Sequence, residues 1–301
     1  MRFSVDCLRN LAGFLFLVVS MCHPVAAQMS GYFSLPHWVA DSPILHGAFS
    51  SSETLQPRPI EGQGKEVLLD AWYNSQRRRN AAGQSELFHY KWDDKTDSGF
   101  SLFGQIFRSY GMTTSTLTSA PTLAKLRSAT IYIIVSPDNP ARNPHPHYMN
   151  APEANQIAAW VRSGGVLLIM ENDPANADIP HMDILADRFG LHFNNVLVHH
   201  VIGDQFEMGR IDVRSPAPLF THPHVLYMKD TCSLTLSKGA RPLLQWQGDT
   251  LMAVAKVGKG TVVAVTDPWL YNEYIDDHRL PAEYDNFAAG EEFVQWLLRQ
   301  P

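Results

Sequence analysis

The sequence predicts an α/β fold, a doubly wound, mostly parallel sheet with a small β-rich insertion, over residues 65–301. Two observations carry this expectation. Short runs that are apolar throughout, "EVLLD", "TIYIIVSPD", "VLLIMEND" and "TVVAVTD", read as strands buried on both faces. Segments with apolar residues at helical spacing, several ending in glycine, lie between them. Strands alternating with helices imply a sheet covered on both sides, with right-handed connections.

The elements follow in order. Val67, Leu68 and Leu69 form the first strand. Phe100, Phe103, Ile106, Phe107 and Tyr110 then share a helical face, and Gly111 suits its stop. "STLTSAPTLAKLRSA" reads as a short strand, a turn and a short helix. After the β-branched "TIYIIVSPD" comes a proline-studded loop, "NPARNPHPHYMN". Pro152 suits the first turn of a helix on which Ile157, Trp160 and Val161 share a face, and Gly164–Gly165 ends it. "VLLIMEND" is the next strand, and "IPHMDILADRFG" another helix with a glycine stop. "HFNNVLVHHVIG" and "DTCSLTLS" look like strands of the β-rich insertion. "TLMAVAKVGKGTVVAVTD" reads as two strands about the hairpin turn "VGKG", and "NFAAGEEFVQWLLRQ" as the final helix.

Ahead of this domain, residues 1–27 read as an export signal: Arg2 and Arg9 flank the apolar run "LAGFLFLVVSMC", and "HPVAAQ" offers a cleavage site after Ala27. The alternative is an uncleaved anchor, although the run is short for a span. Residues 28–64, with Pro36, Pro43, Pro57 and Pro59, read as a linker or loosely docked arm. The expected location is secreted or periplasmic. Cleavage would leave Cys232 alone, so no intramolecular disulfide is expected, and its strand-like setting marks it as a small core residue.

The chain has 301 residues, 45% hydrophobic and 18% charged, with 30 acidic against 24 basic side chains. That balance argues against nucleic acid, which needs a positive stripe. The run Arg77–Arg79 reads as a solvated loop.

In open α/β sheets ligands bind beyond the carboxyl ends of the strands. The expected strand ends deliver Asp70, Trp72, Tyr73 and Asn74; Asp138; Glu171, Asn172 and Asp173; and Asp267, Trp269, Tyr271, Asn272, Glu273 and Tyr274. The stretch "HYKWDD", His89, Tyr90, Lys91, Trp92, Asp93 and Asp94, should hang over the same edge. "DQFEMG" adds Gln205 and Glu207 from the inserted region. Aromatic rings stack on pyranose faces, while carboxylates and amides bind hydroxyls, so the cluster points to an oligosaccharide. Each residue could instead cap a helix or satisfy a loop. The histidine pairs His145–His147, His222–His224 and His199–His200 lack a third ligand at zinc spacing, so no metal is expected. With no phosphate-binding glycine loop and no G-x-S-x-G elbow, no cofactor is expected either.

"HYKWDD", "GFSLFG", "AAWVRSGGVLLIMENDPANAD", "LADRFGLHFN", "QFEMG" and "AVAKVGKGTVVAVTDPWLYNEY" resemble an uncharacterised domain of the class I glutamine amidotransferase-like superfamily. That domain extends the carboxyl terminus of unsaturated rhamnogalacturonyl hydrolases, enzymes of pectin breakdown, and also occurs alone in bacterial secreted proteins. The likeness runs from about Lys65 to Gln300. It implies a flavodoxin-like sheet and a pectic carbohydrate setting. It carries over no active site: amidotransferases place a cysteine on a strand-to-helix elbow, and "MENDP" has none. The hydrolases' own helical barrel is absent from this sequence.

Three readings remain open. In the first, the domain is a hydrolase of uronic-acid-containing oligosaccharides. Two of Asp93, Asp94, Glu207 and Glu273 would be the acid and the base or nucleophile. Asn74, His89, Tyr90, Lys91, Trp92, Asn172, Asp173, Gln205, Asp267, Trp269, Tyr271 and Asn272 would bind substrate, with His89 or Lys91 pairing with its carboxylate. The second reading is a sugar-binding or assembly module, joining copies of itself or pectin-degrading enzymes, as this fold does in β-galactosidase trimers. The third is a scaffold without a ligand.

Overall fold

The computed structural model describes residues 61–276 and 278–301. The expected signal at 1–27 and nearly all of the expected arm at 28–64 lie outside the described residues.

The chain forms β1 (Glu66–Asp70), a hairpin of β2 (Arg77–Arg79) and β3 (Ser85–Leu87), α1 (Ser101–Ser109), β4 (Thr113–Leu117) and α2 (Leu123–Leu126). It continues through β5 (Ile131–Val135), α3 (Ala151–Arg162), β6 (Val166–Met170) and α4 (Ile179–Ala186). A β-rich stretch follows: β7 (Leu191–Val198), β8 (Arg210–Val213), β9 (His224–Tyr227), β10 (Thr231–Leu236), β11 (Arg241–Trp246), β12 (Asp249–Val257) and β13 (Gly260–Val265). The short α5 (Asn272–Ile275) and the long α6 (Asn286–Leu298) close the chain.

One seven-stranded sheet runs in the order β11-β12-β13-β6-β5-β1-β4. The stretch from β13 to β4 is parallel, whereas β12 and β11 are antiparallel. Register aligns Leu69, Ile133, Leu168 and Val263 in one row across four strands, and all four point into one core. The adjoining row, Leu68, Tyr132, Leu167 and Val262, enters the other core, as the two-residue repeat of a strand requires. Helices α1 and α6 pack on the first face through Phe103, Phe107, Phe293 and Val294. Helices α2, α3 and α4 pack on the second through Leu126, Ile157, Val161 and Leu185.

Local chemistry sets the boundaries. The Asn150 side chain accepts the Glu153 N–H at the start of α3, where Pro152 occupies the first turn. After α4 and a 3₁₀ turn, Gly190 takes φ 76° and releases the chain into β7. Gly260 opens β13 where a Cβ would sit 2.0 Å from the Val161 carbonyl oxygen, so only glycine lets this hairpin lie against α3.

The structure corrects the expected doubly wound, mostly parallel, flavodoxin-like fold with a small β-rich insertion. The central sheet is mixed, three two-stranded antiparallel sheets accompany it, and helix makes up only about 24% of the structure. The reason lies in residues 191–257. They supply six strands rather than a small excursion, and the tight turn at Gly258 brings β12 and then β11 into the main sheet in antiparallel order. The expected solvated loop at Arg77–Arg79 is likewise a strand, paired with β3. Among the described residues no helix is long and apolar enough to cross a membrane.

Candidate functional site

Strands β1, β5, β6 and β13 end at one edge, and each end carries a polar residue that burial has forced into a defined role. The Asp70 carboxylate accepts the N–H groups of Trp72 and Tyr73 at 3.1 and 2.7 Å and the Tyr132 hydroxyl at 2.7 Å. Complete burial outweighs these bonds and pushes its pKa up to about 6. Asp138, also fully buried, accepts from Ser75 N–H, Gln76 Nε2 and Asn143 Nδ2 at 2.7–2.9 Å. Asp173 holds the loop after β6 through Ala175 N–H and Asn176 Nδ2.

The chain after β3 crosses this edge. His89 and Tyr90 both adopt left-handed backbone, φ 67° and 55°, a sparsely populated region for side chains of this size. That double turn stacks their rings 4.1 Å apart. Tyr90 then meets Tyr271, from the loop after β13, edge to face at 5.9 Å, and its hydroxyl accepts from Asn172 Nδ2 at 3.3 Å. The 89–94 and 267–274 segments therefore converge. Between them opens a pocket of about 300 Å³, lined by His89, Tyr90, Asn172, Asp267, Tyr271 and Glu273 among the residues picked out from the sequence.

Electrostatics divide the pocket. Burial pushes the Asp267 carboxyl well above its ordinary range, although the Lys229 N–H donates to it at 3.0 Å. Burial also raises Glu273, opposed by Arg279, whose guanidinium lies 2.8 Å from its carboxylate. Burial, reinforced by Lys91 and Arg142, lowers His89 to about 4, so its ring is neutral at pH 7. Lys229 and Arg142 line the same pocket. The Lys229 charge acts on Asp267 and Glu273 and that of Arg142 on His89 and Tyr90, and among the described residues neither cation is within salt-bridge distance of a carboxylate.

Other sequence candidates are elsewhere. Asp94 lies beneath the loop, where its carboxylate accepts from His89 N–H, Thr96 N–H, the Thr96 hydroxyl and Arg78. Asp93 is exposed and faces a different hollow, beside Lys95 and Gln105. Glu207 and Gln205 are exposed and outside the pocket, with Glu207 3.5 Å from Arg210. Trp92 sits in the core among Phe100, Phe103 and Phe107, its indole N–H donating to the Ser115 carbonyl. Trp269 is wholly buried against Phe293. Lys91 is buried, donates to Asn74 Oδ1 and the His89 carbonyl, and is lowered to about 8 by that burial. Asn74 returns a bond to the Ser136 carbonyl. Asn272 ties the Asp94 and Thr96 carbonyls to the first turn of α1 through Ser101 and Leu102. The amides, Asp94 and the tryptophans thus build the rim, because an irregular buried backbone must have its polar groups satisfied.

No protein-family model matches the sequence, and no curated protein matches it. Among solved structures, the mmIFT52 N-terminal domain superposes with a TM-score of 0.57 at 17% identity, over 78% of this chain and 98% of that one. The likeness is one of fold alone. An exo-beta-1,4-mannosidase, Op5Man5, from Opitutaceae bacterium strain TAV5 gives a TM-score of 0.43 at 14% identity, over 77% of this chain and 35% of its own. A beta-galactosidase from Rahnella sp. R3 gives 0.47 at 13%, over 80% and 32%.

Sequence reading passed over Ser98, Arg142, Asn176, Lys229 and Asp230, which complete the pocket. Arg142 lies in the proline-studded loop, whose excess of loop-forming residues between two strands was the available signal. Lys229 and Asp230 open the segment read as a strand, and nothing in its alternation marked its first residues as facing a pocket. For a metal, the described residues bring together one group, Asp183, Asp187 and His192, with ligand atoms within 4.8 Å. His192 already contacts both carboxylates, and two of the three residues are exposed.

Proposed function

We propose that this domain binds a uronic-acid-containing saccharide of the pectic type in the pocket between His89 and Glu273, and does not cleave it. One observation carries the reading: the pocket pairs open cations with closed acids. Among the described residues Lys229 and Arg142 form no salt bridge, and their charges suit a ligand carboxylate. The half-buried rings of His89 and Tyr271 border the space, and Asn172 and Asn176 supply amides for hydroxyls. Three of the four acids a hydrolase would use are already engaged, Asp94 by four donors, Glu273 by Arg279 and Glu207 by Arg210, and the fourth, Asp93, faces a different hollow. Retaining and inverting hydrolases need two free carboxylates about 5–9.5 Å apart across the substrate. The sequence resemblance to a domain attached to pectin-degrading enzymes agrees with a binding role beside a separate catalyst.

Titration of the purified protein with galacturonan and rhamnogalacturonan oligosaccharides, followed by calorimetry and by a reducing-end assay, tests this. Saturable binding without new reducing ends is expected, with about tenfold weaker binding in Lys229→Gln, the loss of one charge-assisted contact. New reducing ends would replace the reading with the hydrolase, and absence of binding would end it.

A further inference from the structure

A second and larger hollow, about 730 Å³, adjoins the pocket on the side of β1. Arg142 lines both. Gln76, on the wall of the larger hollow, meets His89, on the wall of the smaller, through Oε1 and Nδ1 at 3.4 Å. The two spaces therefore share one arginine and one hydrogen-bonded partition.

The chemistry of the larger hollow is one-sided. Arg77, Arg142, His145 and His147 line it, and no carboxylate does, in a chain whose net charge is −6. Among the described residues the Arg77 guanidinium bonds to Ser85, through its hydroxyl and carbonyl oxygens, and pairs with no acid. Trp72 supplies a flat wall: its indole stacks on the His147 ring at 3.5 Å and 18°. The His147 Nδ1 lies 2.9 Å from the Trp72 carbonyl, which can only accept, so Nδ1 carries the proton and Nε2 is left open. Behind the wall, the buried Asp138 carboxylate holds Ser75, Gln76 and Asn143 in place before any ligand arrives.

We propose that this hollow is a second subsite of the same groove, which takes the adjacent acidic sugar of an oligouronide, its carboxylate toward Arg77 and Arg142 and its ring against Trp72. The inference rests on the binding role proposed above and adds ligand length and charge: the ligand is an oligomer with a carboxylate on neighbouring units. A hollow lined by cations, with an aromatic plate and no acid, selects an anionic ring over a neutral one.

Calorimetry with galacturonic acid, its dimer and its trimer, and with a neutral galactose dimer, tests it. The acidic dimer should bind about tenfold or more tighter than the monomer, the gain of a second linked contact. Trp72→Ala and Arg77→Gln should each abolish most of that gain and leave monomer affinity within about twofold. Arg77 is exposed, so its variant keeps the test open should Trp72→Ala misfold. A dimer no tighter than the monomer, an equal loss for both in the variants, or equal binding of the neutral dimer overturns the subsite while leaving the first pocket standing. Failure of every uronide to bind overturns both.

Discussion

Tyr90 and Tyr271 meet edge to face, ring centroids 5.9 Å apart, although one follows the first hairpin and the other the last strand of the sheet. This contact is where two distant loops become one pocket. An edge-to-face pair of this kind contributes about 0.5–1.5 kcal/mol beyond the area it buries. A double-mutant cycle with Tyr90→Leu and Tyr271→Leu, measured by urea unfolding, should return a coupling energy in that range. Strictly additive losses would mean the two loops close independently.

Asp94 should behave as a structural carboxylate. Burial alone would raise its pKa, but Thr96, the His89 N–H and Arg78 together hold it below the usual range. A lowered carboxyl stabilises the fold at pH values above its unfolded pKa of 3.8, and the contribution is lost as the pH falls through the folded value. Asp94→Asn should cost about 1.5–3 kcal/mol at pH 7, as loss of charged hydrogen bonds does. The gap between wild type and variant should narrow below about pH 4. A variant with unchanged stability but altered ligand chemistry would contradict this role.

Glu171 titrates in the opposite sense. It is fully buried at the end of β6, and burial, with Asp183 and Asp178 nearby, raises its pKa well above 4.5 against the opposing Asn172 N–H. The unfolded chain loses this proton near pH 4.5 while the folded chain keeps it, so the fold becomes less stable as pH rises above that point. Glu171→Gln should therefore gain stability relative to wild type between pH 4.5 and 8, read from urea midpoints. A difference that stays constant over that range would remove the buried acid from the account.

Gly99 is fixed by space rather than by dihedral angle. A Cβ there would lie 1.8 Å from the Asp94 carbonyl oxygen and 2.9 Å from Asn272 Nδ2. Gly99→Ala must open the Asp94–Asn272 junction and should cost more than about 2 kcal/mol, as overpacking at a buried backbone does. Thermal unfolding gives the measurement, and a neutral substitution would show that the loop is not clamped as described.

Much of the framework was legible in advance. The strands at Glu66–Asp70, Ile131–Val135, Val166–Met170 and Gly260–Val265 were readable because residues buried on both faces leave a continuous apolar run. Helix α1 was readable because Phe103, Ile106 and Phe107 recur at the spacing of one helical face. The crossing of the 89–94 and 267–274 segments followed from strand ends sharing an edge. Composition and spacing are local properties, and these features are local consequences of burial.

What the linear pattern left open was decided by long-range packing. The hairpin turn "VGKG" marked β12 as antiparallel to β13, but pairing direction is not encoded in periodicity, so the further addition of β11 to the main sheet emerged only in three dimensions. Aromatic residues beside strand ends could face a ligand or the core, and Trp92 and Trp269 took the core. Acids near a pocket become reactive or structural according to their partners, and Arg78 and Arg279 come to Asp94 and Glu273 from outside the strand-end segments that nominated those acids. Arg142 reaches the pocket from a loop that its prolines marked as a loop but not as a binding site, and Lys229 from just before β10, because which charges face a pocket is a property of neighbours in space.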